Sequence, residues 1–382
     1  MDKNNWTYKK LGEVGDIITG STPSTKEEDN YNSSDVCFVK PSDIPRQGIG
    51  FLSETEFYIS RKAYNNSRKL PKGSVLTTCI GIIGKVGILN VDATCNQQIN
   101  AIIPHSNISS TFLAYSILSK RHYLEHISNA PVVPIINKKE FSNTTIPIPP
   151  LAEQERIVAE LDLISSVIEK KKAQLKEYDQ LAQSIFYDMF GDPITNEKGW
   201  EVKKLGEIGT IVGGSTPSTN DDSNWDGTIN WVTPAELGEQ LYYGETIRKL
   251  TEMGARGLTM MPAGTVLLSS RAPIGKLAIT TTPMCCNQGF KNIICHKIIN
   301  NVFLYYYLKN TMDLVKALGR GATFKEVSKS AISSFKVILP PLPLQQEFAD
   351  KVEAIERQKT LIQQSIDEVQ TLFDSRMDYW FG

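Results

Sequence analysis

A stretch of twenty residues occurs twice in this 382-residue chain, and that repeat restricts the fold more than any other feature. Residues 6–25, WTYKKLGEVGDIITGSTPST, return at 200–219 as WEVKKLGEIGTIVGGSTPST, an offset of 194. Further on, Pro71-Lys-Gly-Ser-Val75 matches Pro262-Ala-Gly-Thr-Val266, Ile83-Gly-Lys85 matches Ile274-Gly-Lys276, and Cys95-Asn-Gln97 matches Cys286-Asn-Gln288, all at an offset of 191. The same offset holds at Pro149-Pro150-Leu151 against Pro340-Pro341-Leu342, and at Phe190-Gly191 against Phe381-Gly382. Residues 26–70 and 220–261 are dissimilar. Each half is therefore a shared frame around a variable middle, the pattern expected of one scaffold presenting two contact surfaces.

The frame reads as mixed α/β (α+β). Short β-rich runs, punctuated by Gly and Pro, are predicted at 36–39, 74–80 and 86–91, and again at 229–232, 265–269 and 277–281. Helices are predicted at 111–124 and 302–318, and last strands at 145–148 and 335–339. After each Pro-Pro pair the chain is free of Gly and Pro for about 40 residues, apart from Pro343 early in the second copy, and becomes rich in Ala, Glu, Leu, Lys and Ile. The organisation is thus 1–150, a helix over 151–192, a second domain over 193–339, and a second helix over 340–382.

Both long segments carry a heptad seam. The first places Ile157, Leu161, Ile164, Ile168 and Leu175 on one side; the second places Phe348, Val352, Ile355, Ile362 and Ile366 there. Such seams want a partner helix. If each is the partner of the other, two antiparallel rods of about 60 Å hold the domains apart, related by an approximate two-fold axis. A rod of that length bridges the roughly 34–36 Å between half-sites on one face of B-DNA. A coiled-coil dimerisation element is the other reading of the same pattern.

Net charge is only −1, but its distribution is uneven. Residues 1–150 carry net +3 and 193–339 carry net +4, while the two helical segments together carry −8. Nucleic acid on the modules and protein on the connectors fits that division. The six cysteines form no Cys-x-x-Cys pair and mostly sit in apolar runs, as reduced cysteines do. With no apolar run long enough to span a bilayer and no signal core at the polar start, a cytoplasmic protein is expected.

Catalytic motifs do not assemble. Gly81-Ile-Ile-Gly-Lys85 and Pro273-Ile-Gly-Lys276 are too short for a phosphate loop and lack the following Ser or Thr. Both Pro-Pro pairs precede leucine, not the aromatic residue that an amino-methyltransferase motif needs. Asp192 with Glu201-Val-Lys203 lacks a nuclease context, and His122-x-x-x-His126 lacks the companions of a metal site. No metal site is expected.

DNA contact is better supported. Ser21, Thr22 and Ser24, with Ser215, Thr216 and Ser218, offer turn-borne hydroxyls suited to phosphate oxygens. Lys85 and Lys276 follow a Gly turn, and Ser269, Ser270 and Arg271 precede it in the second half, where the first has Thr78, Cys79 and Ile80. Arginine hydrogen-bonds guanine well, so the two turns should select different bases. Asn96, Gln97, Asn287 and Gln288 are amides able to bond adenine or to brace a turn; their recurrence in both halves favours bracing. Lys40, Thr233 and Lys291 complete the candidate set.

The paired domains, the Pro-Pro-Leu-x-x-Gln helix starts (Gln154, Gln345) and the junction Phe190-Gly-Asp-Pro…Lys198-Gly-Trp…Lys204-Leu-Gly206 resemble the specificity subunit of Type I restriction–modification systems over nearly the whole chain. The resemblance implies two target-recognition domains, each recognising half of a split site in double-stranded DNA, separated by two helices packed antiparallel. It implies a non-catalytic subunit that docks two modification subunits, which use S-adenosylmethionine to methylate adenine N6. Restriction subunits using ATP and Mg²⁺ would join them, and no cofactor would sit in this chain. A stand-alone DNA-modifying enzyme and a duplicated scaffold that does not bind DNA are the alternatives.

Overall fold

In a computed structural model of the chain, residues 5–128, 133–271, 273–319 and 326–382 are described. The chain divides into two compact units: residues 1–172 with 364–382, and residues 173–363.

Unit 1 opens with β1 (Thr7–Lys10), the single turn α1 (Leu11–Val14) and β2 (Gly15–Thr19). The middle supplies β3 (Val36–Val39), β4 (Ile49–Leu52), β5 (Tyr58–Ile59) and α2 (Arg61–Asn65). Then come β6 (Val75–Thr78), β7 (Val86–Leu89), β8 (Ala93–Cys95), β9 (Ile99–Pro104), α3 (Ser110–Ser119), α4 (Arg121–Ile127), α5 (Lys138–Asn143) and β10 (Thr145–Ile148). The 40-residue helix α6 (Leu151–Phe190) follows. Unit 2 repeats the order with β11 (Glu201–Lys204), α7 (Leu205–Ile208), β12 (Gly209–Val212), β13 (Trp225–Val232), β14 (Tyr242–Tyr243), β15 (Lys249–Leu250), β16 (Val266–Leu268), β17 (Leu277–Thr280), β18 (Met284–Cys286), β19 (Asn292–Cys295), α8 (Asn301–Asn310), α9 (Met312–Ala317), α10 (Lys329–Ser333) and β20 (Lys336–Leu339). Helix α11 (Leu342–Phe381) closes the chain.

The sheets match strand for strand. Unit 1 has a five-stranded sheet ordered β2-β9-β6-β7-β4, a three-stranded sheet β5-β3-β8 and the pair β1-β10; unit 2 has β12-β19-β16-β17-β14, β15-β13-β18 and β11-β20. Both five-stranded sheets are antiparallel except at one edge, where β4 runs parallel to β7 and β14 to β17. The dissimilar middles 26–70 and 220–261 thus build corresponding strands, because ladder hydrogen bonds use the backbone and tolerate most side chains.

The helices predicted at 111–124 and 302–318 are each broken into two. Lys120 and Thr311 stand at the breaks, and Thr311 Oγ1 donates to the carbonyl of Tyr307 at 2.8 Å. A hydroxyl bonding back four residues competes with the helical ladder and helps end α8.

The long helices supply core as well as length. In unit 1, Ile157 and Leu161 of α6 and Met377, Trp380 and Phe381 of α11 pack with Phe112, Leu113 and Phe141. Glu160 pairs with Arg376, and Arg156 lies 5.0 Å from the Trp380 ring. In unit 2, Phe186 of α6 stacks on Phe303 of α8, while Phe186 and Phe190 meet Phe348 of α11, and Phe190 meets Phe303, edge to face, at centroid distances of 4.8–5.8 Å. Lys359 Nζ donates there to Asp179 at 2.8 Å. Within each unit the two helices run antiparallel, since rising numbers on α6 meet falling numbers on α11. Of the remaining seam positions, Val352, Ile355, Ile168, Ile362 and Ile366 are buried, and Ile164 and Leu175 are half-buried. Five cysteines are buried and all six are free; burial pushes the thiols of Cys79, Cys95, Cys286 and Cys295 up to about 12, so they stay protonated.

A buried glutamine ties each long helix to its domain. Gln154 Oε1 accepts from the Ser109 N–H at 2.9 Å, while its Nε2 donates to Pro149 O at 2.9 Å and Asn107 O at 3.2 Å. Gln345 repeats this on Asn300 N–H, Pro340 O and Ile298 O at 2.8, 2.7 and 3.4 Å. Both side chains are almost fully buried, so their partners have little water to turn to. Gln154→Leu or Gln345→Leu should lower unfolding stability by roughly 2–4 kcal/mol, because each orphans buried backbone groups worth about 1–3 kcal/mol apiece. Urea titration of the two variants checks this; a loss near zero would show the amides to be dispensable.

Candidate nucleic-acid interface

The two best-preserved pieces of the frame meet in each unit. In unit 1 the chain leaves β2 through Gly20, whose N–H donates to Ile99 O at 3.0 Å, and Ser21 N–H donates to Cys95 O at 2.9 Å. A Cβ on Gly20 would lie 2.1 Å from Asn96 O, so glycine is required for this approach. Thr22 Oγ1 then donates to Gln97 Oε1 at 2.6 Å. The carbonyls of Pro23 and Ser24 accept from Tyr31 OH at 2.8 Å and Asn30 Nδ2 at 3.0 Å. Unit 2 repeats the lock. A Cβ on Gly214 would lie 1.9 Å from Cys286 O, and Thr216 Oγ1 donates to Gln288 Oε1 at 2.7 Å. Here tryptophans hold the loop: Trp231 Nε1 donates to Ser215 O at 3.1 Å and Trp225 Nε1 to Ser218 O at 3.0 Å.

These bonds fix the loop backbone while Thr22, Ser24, Ser215, Thr216 and Ser218 stay exposed and Ser21 half-buried. Within the adjoining turn, Asn96 is buried; it accepts from Gln98 N–H at 3.1 Å and donates to Gln98 Oε1 at 2.9 Å. Asn287 accepts from Gly289 N–H at 2.8 Å. These two amides brace their turns, whereas Gln97 and Gln288 face solvent.

The second element is the turn joining β6 to β7, and β16 to β17. A hydroxyl closes each: Thr78 Oγ1 accepts from Lys85 N–H at 3.0 Å, and Ser269 Oγ accepts from Lys276 N–H at 2.8 Å. The Lys85 side chain is buried and its Nζ donates to Pro41 O. Burial holds its pKa below the usual lysine value, and the Arg46 and Arg121 charges lower it further against Asp43. Arg121 donates to Arg46 O at 2.8 Å, and the Lys40 ammonium lies 3.0 Å from the Phe57 ring centroid. Unit 1 therefore gathers Lys40, Arg46, Lys85 and Arg121 about one turn.

Unit 2 builds the corresponding place differently. Ser269 and Ser270 are buried, and Lys276 is half-buried. Lys291 Nζ lies 3.1 Å from Glu326 Oε1 and 3.3 Å from Ser270 Oγ, and Arg271 lies 4.0 Å from Glu326 Oε2. Thr233 is committed locally: its N–H and Oγ1 each donate to Glu236 Oε1 at 2.9 Å.

Sequence comparison of the halves does not single out Arg46, Arg68, Arg121, Arg248 or Glu326. Arg68 donates to Thr19 O beside the first loop, and Arg248 lies 3.5 Å from the Trp225 ring. Arg46, Arg68 and Arg248 fall in the dissimilar middles, and Met312 stands where Arg121 does, so no twin marks them. The basic pairs Arg68-Lys69 and Arg248-Lys249 are the available signal. Chemically, the assembled groups are hydroxyls, amides and cations, which bind phosphates and base edges. Among the described residues no group of three or more His, Cys, Asp or Glu is placed to hold a metal. None of the described helices is long and apolar enough to cross a membrane.

Comparison with known proteins agrees with this chemistry. The family model of the Type I restriction modification DNA specificity domain matches twice, at residues 3–177 and 197–371. The MjaIX specificity subunit of a Type I restriction enzyme from Methanocaldococcus jannaschii is 27% identical, covering 92% of this chain and 87% of its own. The HindI specificity subunit from Haemophilus influenzae is 30% identical over 45% of this chain and 39% of its own. Among solved structures, a chain from a study of complex assembly and conformational transition in the type I R-M system covers 98% of this chain and 97% of its own, with a TM-score of 0.61 at 21% identity. The S subunit of a Type I system from M. genitalium gives 0.55 at 15% identity, with coverage of 99% and 96%. These last two likenesses establish the shared fold. With both matched segments together spanning most of its length, the chain belongs to the Type I restriction–modification DNA-specificity family and carries two tandem copies of its domain.

Proposed function

We propose that residues 1–150 and 193–339 each recognise one half of a split sequence in double-stranded DNA. The observation that carries this reading is the doubled lock, Thr22 on Gln97 and Thr216 on Gln288, set among unlike cations. Groups common to both halves suit what is common to all duplexes, the phosphate backbone; groups that differ suit base choice. Ser21, Thr22 and Ser24, with Ser215, Thr216 and Ser218, would serve phosphates. Lys40 in the first half, and Arg271, Lys276 and Lys291 in the second, would lie along the groove, with the buried Lys85, Ser269 and Ser270 and the locally bonded Thr233 shaping the turns behind them. Gln97 and Gln288 would face it, with Asn96 and Asn287 shaping the turn behind them.

As a member of the specificity family the chain recognises DNA and does not catalyse, and it needs no cofactor of its own. Residues 151–192 and 340–382 would set the spacing of the half-sites and seat two modification subunits, their acidic faces suiting protein better than DNA. S-adenosylmethionine would be bound by those subunits, and ATP with Mg²⁺ by restriction subunits that join them, all in the cytoplasm.

Exchanging residues 1–150 for another recognition domain and sequencing methylated adenines in the reconstituted complex tests the reading. One half of the split motif should change and the other persist; a change in both, or in neither, would end the modular account. Spacing is tested separately. Seven residues inserted after Lys171, with seven after Ile362, add about 10 Å of helix, or roughly three base pairs. The unread gap should lengthen by that amount or methylation should cease, whereas full methylation across the original gap would refute a spacer role.

A further inference from the structure

The two units hold one backbone junction in common and dress it with opposite chemistry. In unit 1, Cys79 N–H donates to Gln98 O at 2.8 Å and Cys79 O accepts from Ile136 N–H at 2.9 Å. In unit 2, Ser270 N–H donates to Gly289 O at 2.8 Å and Ser270 O accepts from Val327 N–H at 3.0 Å. All these partners correspond at the offset of 191, so Ile80 corresponds to Arg271, Asn100 to Lys291 and Ile135 to Glu326.

The first junction carries no charge on these side chains. Ile80 bridges to Ile135, which is 40% exposed, and Ile82 in the same turn is 44% exposed. Asn100 turns inward, accepting from Thr19 Oγ1 at 2.7 Å and donating to Cys79 Sγ at 3.2 Å. The second junction is ionic. Glu326 places one carboxylate oxygen on Lys291 and the other towards Arg271. The Arg271 and Glu326 side chains are 38% and 43% exposed, and that of Lys291 only 15%. Lys291 is thus the anchored partner, and Arg271 the one free to reach outward. The junction adjoins the turn at 286–289 on which the phosphate-type loop is locked, since Ser270 Oγ also donates to Gly289 O at 3.1 Å.

We propose that this junction is the base-selecting position of each domain, with Arg271, beside Glu326, choosing a guanine in the second half-site. Ile82 and Ile135 select a thymine methyl in the first. The Glu326 carboxylate, 4.0 Å away, keeps the partly exposed Arg271 guanidinium near the junction and leaves its planar fork open for bidentate contact with guanine O6 and N7. An apolar edge flanked by the Lys40, Arg46 and Arg121 cations offers the thymine methyl a matching surface while the cations hold the backbone. The inference rests on the DNA-specificity reading above and adds to it the residues that make the choice.

The test uses the full chain reconstituted with its modification subunits and a plasmid library carrying randomised half-sites, scored by sequencing methylated adenines. With Arg271→Ile, preference for guanine at one position of the second half-site should fall by about 10- to 100-fold, the discrimination of a good bidentate pair. The first half-site should be unchanged. Glu326→Gln, which keeps the shape and removes the charge, should narrow the same preference and steepen the salt dependence of binding by about one phosphate contact. A uniform drop over all sequences would show Arg271 to be a phosphate clamp, and an unaltered second half-site would remove it from recognition; either overturns the inference. If the unsubstituted chain itself yields no split motif, the DNA-specificity reading falls first.

Discussion

The rest of the structure depends on aromatic side chains of the two long helices being buried inside the domain cores. Phe186, Phe190 and Phe348 in unit 2, and Trp380 and Phe381 in unit 1, are almost wholly removed from water; the first three touch α8, Phe381 touches Phe112 of α3, and Trp380 stacks on Trp6. Burying one such ring is worth on the order of 2–3 kcal/mol, so these contacts are a large part of what a marginally stable domain has. Each unit draws on both helices, α6 and α11. Gln154 ties the first turn of α6 to Ser109, the residue that caps α3 in unit 1, and Gln345 ties the first turn of α11 to Asn300, the residue that caps α8 in unit 2. Each domain, with its loops, is thereby fixed to the first turn of a long helix.

The dissimilar middles occupy corresponding places in the two sets of sheets. Strands β4 and β5 and their counterparts β14 and β15 lie at sheet edges, whereas β3 and β13 are the central strands of their three-stranded sheets. Phe38 and Val39 of β3 and Trp231 and Val232 of β13 are buried, so the two middles fill their cores with different side chains, while the frame around them holds the Gly20 and Gly214 approaches and the threonine–glutamine locks. Duplicated scaffold with divergent surface is a physical route to two specificities in one chain.

Much of this was legible in the residues, and the failures have identifiable causes. Strands over Val36–Val39 and Thr145–Ile148 are legible to the residue, because Pro41 and Pro149-Pro150 stop short runs containing β-branched residues there. The edge strands β4, β5, β14 and β15 were invisible: they are two to four residues long, exposed on one side, and show no alternation strong enough to register. The breaks at Lys120 and Thr311 fall inside apolar periodicity that reads as one helix; they depend on local hydrogen bonding that no pattern reports. At the interface, comparison of the halves found the loops and turns that recur but was blind to Arg46, Arg121 and Arg248, which recur nowhere. Glu326 escaped notice for a different reason: its meaning lies in its partners Arg271 and Lys291, 35 or more residues away in sequence.

The central claim is that two copies of one frame touch the same duplex through the same pieces. Hydrogen–deuterium exchange on the full chain, assembled with its modification subunits and compared with and without cognate duplex, measures this most directly. The account predicts slowed amide exchange at both loop-and-turn pairs, residues 20–25 with 95–98 and residues 214–219 with 286–289, to a similar degree. Slowing confined to one pair, or found only on the long helices, would contradict it.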